Sequence, residues 1–248
     1  PNEDSIQYAM QRLRDPEKRL IDEFFWFWPT KTDSSHDEAF DLLSKNRINE
    51  TLDIWKKAAE SDSCSITAHN LALLYHAHAL DIEHKSMTKP LEKEELKICG
   101  MCWKGAYKEW QKLLDNEVFW SQVTARIREM NHPSLKTGIA RRLRLSLPKA
   151  LFQINARLAK NASEKNDKAT CNYHIQLVNE FGFEDGLFNT VLREEVVPIR
   201  QRIQIICGSL KTNTYKNPDH ANLLLWEFIL EARSLLKTID QLLPNNDL

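Results

Sequence analysis

The sequence predicts an all-α fold, a helical array of about nine to eleven helices with a helix-turn-helix core. Apolar residues recur at helical spacing along most of its 248 residues. Only 6 Gly and 9 Pro are present, whereas sheet-rich proteins and nucleotide-binding folds use more Gly in turns and phosphate loops. Hydrophobic residues make up 42% and charged residues 28%, as in ordinary globular proteins. We therefore expect helices joined by short connections.

The first two helices are indicated by an apolar stripe and a break. Residues 3–13 carry apolar side chains on one helical face. Asp15-Pro16 indicates the break, because proline fits the first turn of a helix. The second helix, about 16–28, ends in the aromatic run Phe24–Trp28, which we expect to be a buried helix end packed on both sides.

Four more helices are predicted before residue 116. The capping-box pattern of Ser35 and Glu38 indicates the start of the first of them. Helices of about 47–60 and 66–80 follow, each with a continuous apolar face. Residues 81–92 are polar and contain Pro90, which indicates an inserted loop before a helix of about 92–115.

The helix 47–60 and its successor carry a specific pattern of small and large residues. The pattern consists of Asn46, Ile48, Glu50, Thr51, Leu52, Trp55 and Ala58, then Asn70-Leu71-Ala72 and Tyr75. This stretch resembles the tetratricopeptide repeat family, in which small residues let paired helices approach and large ones fill the grooves between them. A degraded second unit follows at Ala106, Trp110 and Leu113. The resemblance covers about residues 38–115.

The resemblance implies a site for partners. In that family, paired helices form a concave surface that holds peptides or partner domains. It implies a groove lined by His69, Asn70, Leu73 and His76. Because a free-standing solenoid normally needs at least three repeats, the remaining helices must complete the core.

A shorter resemblance lies at residues 13–22. Leu13-Arg14-Asp15-Pro16-Glu17-Lys18-Arg19, with Asp22 after it, resembles the end of a J-domain. The His-Pro-Asp triplet of that family is absent, since Asn131-His132-Pro133-Ser134 lacks the Asp. The resemblance implies that any such domain precedes residue 1.

The second half of the sequence predicts further helices, but these do not form a repeat. They cover about 118–130, 143–158 with a bend at Pro148, 168–181, 184–207 with a kink or division at Pro198, and 219–243. We expect residues 1–118 to form the tetratricopeptide-like region. Residues 119–248 then form a second helical region, packed with the first as one continuous domain.

Charge is unevenly distributed. Residues 121–170 hold 11 Lys and Arg against 3 Asp and Glu, although the whole chain has a net charge of −1. The basic patch predicted on this segment consists of Arg141, Arg142, Arg144, Lys149 and Arg157. It is consistent with nucleic acid, with an acidic protein partner, or with internal neutralisation. Only Phe152 is available there for base stacking.

Candidate chemistry is sparse. Cys99-Gly100-Met101-Cys102 is a CxxC pair, but zinc would need two further ligands and a redox site would need a βαβ context. We expect two helix-packed cysteines. His69, His76 and His78 share a helix without an acidic or Cys partner, which favours packing or groove lining. No nucleotide, metalloprotease or nucleophile-elbow motif occurs, and we expect no catalytic residue, cofactor or metal.

Together these features predict a non-catalytic protein–protein interaction or adaptor domain, with a nucleic-acid-binding helical domain using residues 126–168 as the alternative. Five scattered cysteines indicate reduced thiols and a cytoplasmic location. No apolar run of bilayer-spanning length occurs, so we expect no membrane partner. The start at Pro1 without Met indicates either processing or a piece of a larger multidomain protein, and we favour the second.

Overall fold

The computed structural model describes residues 3–30, 37–61, 65–89, 91–135, 138–181, 186–216 and 221–244. These residues form eleven helices and no strand, which confirms the predicted all-α class. The helices are α1 (Glu3–Arg14), α2 (Pro16–Phe24), α3 (Glu38–Ser44), α4 (Ile48–Ser61), α5 (Ser65–Ser86), α6 (Lys93–Leu114), α7 (Glu117–Glu129), α8 (Ile139–Glu164), α9 (Lys168–Glu180), α10 (Leu187–Lys216) and α11 (Ala221–Leu242).

The chain divides into two compact units. The first unit is Pro1–Leu145 and the second unit is Ser146–Leu248. The division falls within α8, whereas the predicted division between residues 118 and 119 falls within α7. The packing of the whole chain as one continuous domain stays a prediction.

Short polar side chains begin several of the helices. Asp15 accepts hydrogen bonds from the backbone N–H groups of Glu17 and Lys18 at 3.0 and 3.2 Å, and Pro16 occupies the first turn of α2 as predicted. Asp37 caps α3. Ser35, predicted for that role, lies outside the described residues. Each such cap satisfies a donor that the helix leaves unpaired.

Asparagine ends three of the helices. Asn46, Asn131 and Asn166 have φ values of 58°, 44° and 62°, and they follow α3, α7 and α8. This left-handed conformation terminates a helix, and asparagine tolerates it better than other residues with a side chain.

Several predicted boundaries are wrong. The loop predicted at 81–92 begins only after Ser86, because α5 continues to bury Ile82 and Glu83. The helix predicted over 16–28 ends at Phe24, after which residues 25–30 leave the helix. Pro198 does not divide α10, which runs through it.

The core of the first unit forms around the pair α5 and α6. Trp103, Tyr107 and Trp110 of α6 are almost fully buried. The two helices approach closely where Gly105 faces Tyr75, since a Cβ added to the glycine would lie 2.8 Å from the tyrosine ring. The absence of a side chain at this position therefore lets the helices pack at this distance.

The core of the second unit is formed by α8 to α11. The rings of Phe152 and Phe188 are 5.6 Å apart. His174 Nδ1 lies 2.9 Å from Asn155 Oδ1, and both side chains are fully buried. Among the residues that the structure describes, none of the long helices has the apolar stretch that crossing a bilayer requires.

Candidate interaction surfaces

The four residues predicted to line a groove on α5 lie in the core. His69 and Asn70 are 0% exposed, Leu73 is 8% exposed and His76 is 7% exposed. They do not line an open groove in this structure, which corrects the prediction. The physical reason is that other parts of the first unit cover this face of α5.

The segment Phe24–Trp28 covers the N-terminal part of that face. The Trp28 N–H donates to Asn70 Oδ1 at 2.8 Å, and Asn70 Nδ2 donates to the Trp28 carbonyl oxygen at 2.7 Å. His69 Nε2 lies 2.8 Å from the Phe24 carbonyl oxygen. The segment has left the α2 helix at this point, so its backbone groups need partners, and α5 supplies them.

Aromatic rings complete this covering. The His69 ring lies 5.2 Å from the ring of Phe24, 4.5 Å from that of Trp28 and 5.4 Å from that of Phe119. Burial lowers the pKa of His69 to about 4. Of the predicted aromatic run, Phe24 and Trp28 are buried, whereas Trp26 is 71% exposed.

His76 is buried separately, against α6. Its ring lies 5.1 Å from the ring of Trp103, and its Nε2 has no hydrogen-bond partner. Burial lowers the pKa of His76 to about 4. The neutral ring therefore acts as a packing group, in agreement with the packing alternative for the histidine cluster.

Most of the predicted basic patch is paired with acidic residues of the chain. The pairs are Arg142 with Glu17 at 3.1 Å, Arg144 with Glu117 at 2.7 Å, Lys149 with Glu194 at 2.7 Å and Arg157 with Glu195 at 3.2 Å. Exposed pairs of this kind contribute only about 0–1 kcal/mol each to stability. They do reduce the positive charge that the segment offers to a polyanion, which favours the internal-neutralisation interpretation.

Two arginines of the basic segment have no acidic partner among the described residues. Arg128 of α7 and Arg141 of α8 are exposed, and neither guanidinium group forms an ion pair or a hydrogen bond with another described residue. Together with Arg144 they line a cleft of about 350 Å³ within the first unit. Arg128 was not part of the predicted patch, because its place beside the start of α8 depends on tertiary packing.

The CxxC cysteines are buried structural residues. Cys99 and Cys102 are each 4% exposed. The Cys99 thiol lies 3.4 Å from Glu83 Oε1, which also accepts a hydrogen bond from Trp103 Nε1 at 3.1 Å. Burial raises the pKa of Cys102 to about 11 and that of Cys99 further still. Protonated, shielded thiols are neither nucleophiles nor metal ligands.

The second unit exposes a row of large apolar side chains on α11. Trp226 is 63% exposed and Leu230 is 58% exposed, and Ile229 and Leu236 are partly exposed beside them. At 100° per residue these four side chains occupy one face. The opposite face buries Ile239 and Leu242 in the core. We call the four residues the α11 row.

Sequence periodicity did not identify the α11 row. It predicted a helix over about 219–243 and did not separate a buried face from an exposed one. The signal that points to the row is the breadth of the apolar arc, since Trp226 and Leu230 extend it beyond the width that one buried face needs.

The N-terminal helix α1 also has an uncovered apolar face. Ile6, Met10 and Leu13 lie on one stripe and are each about half exposed. A bidentate contact from Arg12 to Asp22, with distances of 2.6 to 3.0 Å, holds α1 to α2. Leu13 and Asp22 also belong to the J-domain resemblance, which stays a prediction.

Comparison of the chain with protein-family models, with curated proteins and with solved structures found no match.

Proposed function

We propose that this chain is a non-catalytic protein–protein interaction domain of the adaptor type, acting in the cytoplasm. The observation that carries the proposal is the α11 row. Contiguous exposed apolar side chains on a folded domain commonly mark a binding surface. Exposed tryptophan in particular is enriched among the residues that dominate binding energy.

The chemistry of the row defines the kind of partner. Arg233 lies on the same face between Leu230 and Leu236, is exposed, and forms no ion pair with another described residue. The complementary partner surface is therefore an apolar groove or helix face with an acidic side chain at its edge. The buried thiols and the neutral buried histidines of the first unit agree with a role without catalysis.

The proposal is tested with the double variant Trp226→Ser/Leu230→Ser and the single variant Arg233→Glu in the full chain. The matched control is Leu96→Ser, since Leu96 is 57% exposed but lies on α6, outside the row. We expect the double variant and Arg233→Glu to lose a protein that co-purifies with the wild type, and the control to retain it. All three should unfold within about 0.5 kcal/mol of the wild type, because the changes are on the surface.

A photo-crosslinker placed at residue 226 identifies the contacting peptide. We expect it to map to an apolar segment of another protein bordered by Asp or Glu. The proposal is contradicted if every co-purifying protein remains bound to the double variant, or if the crosslinker joins only two copies of this chain.

A further inference from the structure

We propose that the cleft between α7 and the first turn of α8 binds the phosphoserine or phosphothreonine side chain of a partner peptide. The cleft lies wholly within the first unit and has a volume of about 350 Å³. It is lined by Arg128, Arg141 and Arg144, with the hydroxyl of Ser121 on the α7 wall. This proposal does not rest on the α11 row, which lies in the other unit.

The spacing of the residues explains why they meet at one cleft. Glu117, Ser121 and Arg128 are separated by one turn and two further turns of α7, so they share one face of that helix. Arg141 and Arg144 lie three residues apart in the first turns of α8 and share a face as well. Three arginines therefore line one small cleft.

The charge of the cleft matches a phosphate monoester better than a carboxylate. Arg144 is paired with Glu117 at 2.7 Å and stacks over the Trp120 ring at 5.8 Å. Arg128 and Arg141 form no ion pair with another described residue. Three arginines and one glutamate leave a formal charge of +2 within the cleft. A phosphate monoester carries about −1.5 to −2 at pH 7, whereas a carboxylate carries only −1.

The geometry also suits the recognition of phosphate. Guanidinium groups bind phosphate oxygens through pairs of parallel N–H donors. Ser121 is exposed, so its hydroxyl is available to donate to another phosphate oxygen. Glu117 is the competing anion, and its carboxylate must leave Arg144 when the phosphate binds. Its side chain is 79% exposed, so it can move into solvent at little cost.

A peptide fits the surroundings of the cleft better than a nucleic acid. A polynucleotide needs a continuous track of available cations. Next to the cleft, Arg142 is already paired with Glu17. Trp120, the aromatic residue of the cleft, is 5% exposed and covered by Arg144, so it offers no stacking platform. Val118 and Leu145 are exposed one turn from Ser121 and Arg141, where they can contact the residues flanking a phosphate.

The test uses fluorescence anisotropy with the full chain and two degenerate peptide libraries. One library has a central phosphoserine, and the other has serine at that position. We expect the phosphoserine library to bind at least about tenfold more tightly, since charge-assisted hydrogen bonds to phosphate oxygens are stronger than those of a neutral serine hydroxyl. Arg128→Gln/Arg141→Gln should abolish this preference.

Two further variants make the test specific. Glu117→Gln should increase affinity for the phosphoserine library several-fold, because it removes the competing carboxylate. Arg200→Gln/Lys211→Gln is the matched control, since both basic residues are exposed and without an ion pair among the described residues. It removes the same charge from the second unit and should leave the preference unchanged.

Three results would overturn the proposal. The first is equal binding of the two libraries. The second is inorganic phosphate binding as tightly as the phosphoserine library, which would make the cleft an anion site without peptide recognition. The third is single-stranded RNA binding more tightly than the phosphoserine library and being lost in Arg128→Gln/Arg141→Gln. Each of these leaves the α11 row untouched, so failure here is distinguishable from failure of the proposed function.

Discussion

Asn70 and Trp28 form a reciprocal pair in which one side-chain amide satisfies both backbone groups of the other residue. Asn70 Oδ1 accepts from the Trp28 N–H at 2.8 Å, and Asn70 Nδ2 donates to the Trp28 carbonyl oxygen at 2.7 Å. Asn70 is fully buried and Trp28 is 5% exposed. The helix face that the sequence assigned to a partner peptide is thus occupied by the chain's own non-helical segment.

Replacing Asn70 tests the energetic weight of this pair. Asn70→Ala leaves a buried N–H and a buried C=O without partners, so we expect the free energy of unfolding to fall by about 2–4 kcal/mol. Urea unfolding measures the loss. Asn49→Ala, an exposed position on α4, is the control and should change the value by less than about 0.5 kcal/mol. A loss of similar size in both variants contradicts the assigned role.

The buried histidines predict a dependence of stability on pH. The pKa values of His69 and His76 are lowered from 6.5 to about 4 in the folded state. The unfolded chain therefore binds more protons between these values, and stability falls as pH falls from 6.5 to about 4. Above pH 6.5 the contribution is complete. Each histidine should account for about 3 kcal/mol of the loss.

His76→Leu separates this effect from the titration of carboxylates. The variant keeps an apolar group against Trp103, so the fold should persist at pH 7. We expect the loss of stability between pH 6.5 and 4 to be smaller than in the wild type by about 3 kcal/mol. Urea unfolding at several pH values measures it. If stability falls equally between pH 6.5 and 4 in the variant and in the wild type, His76 titrates normally in the folded protein.

The surroundings of Gly105 and Gly208 predict opposite effects of a Gly→Ala substitution on stability. Gly105→Ala brings a Cβ within 2.8 Å of the Tyr75 ring, and overpacking of this kind costs about 1–3 kcal/mol, more than the helix propensity of alanine returns. Gly208→Ala in α10 meets no atom within 4 Å. It should stabilise the second unit by about 0.5–1 kcal/mol. Thermal unfolding of both variants measures whether each substitution raises or lowers stability. A change in the same direction at both positions would contradict the close approach of α5 and α6.

Thiol accessibility distinguishes the four cysteines that the structure describes. Cys99, Cys102 and Cys171 are buried and Cys207 is exposed, and burial raises the pKa of each of the first three thiols. We expect iodoacetamide to modify Cys207 in the native protein and to reach the other three only on unfolding. Peptide mass spectrometry reads the sites. Rapid modification of Cys102 would place the CxxC pair at the surface.

The sequence predicts the helices well because their determinants are local. The stripe of Ile48, Leu52 and Trp55 and the break at Asp15-Pro16 are properties of a few neighbouring residues, and the corresponding helices appear where expected. α5 extends beyond its predicted end because the burial of Ile82 depends on tertiary packing. Local patterns carry no information on such contacts.

The candidate sites were less predictable for the same reason. Periodicity shows that His69 and Asn70 lie on an α5 face, but it does not show that Phe24 and Trp28 cover this face from a distance of more than 40 residues in sequence. Likewise, the apolar residues of α11 predict an amphipathic helix. Only the structure shows that Trp226 extends outward.

Amide hydrogen exchange at Trp28 tests the central claim, that the chain's own segment occupies this face of α5. If the segment is held by Asn70, the Trp28 amide exchanges only with global unfolding of the first unit, as slowly as the amides of α5. The contrary result is a Trp28 amide that exchanges as fast as an exposed loop amide while α5 remains protected. That result would show that this face of α5 is open to a partner protein.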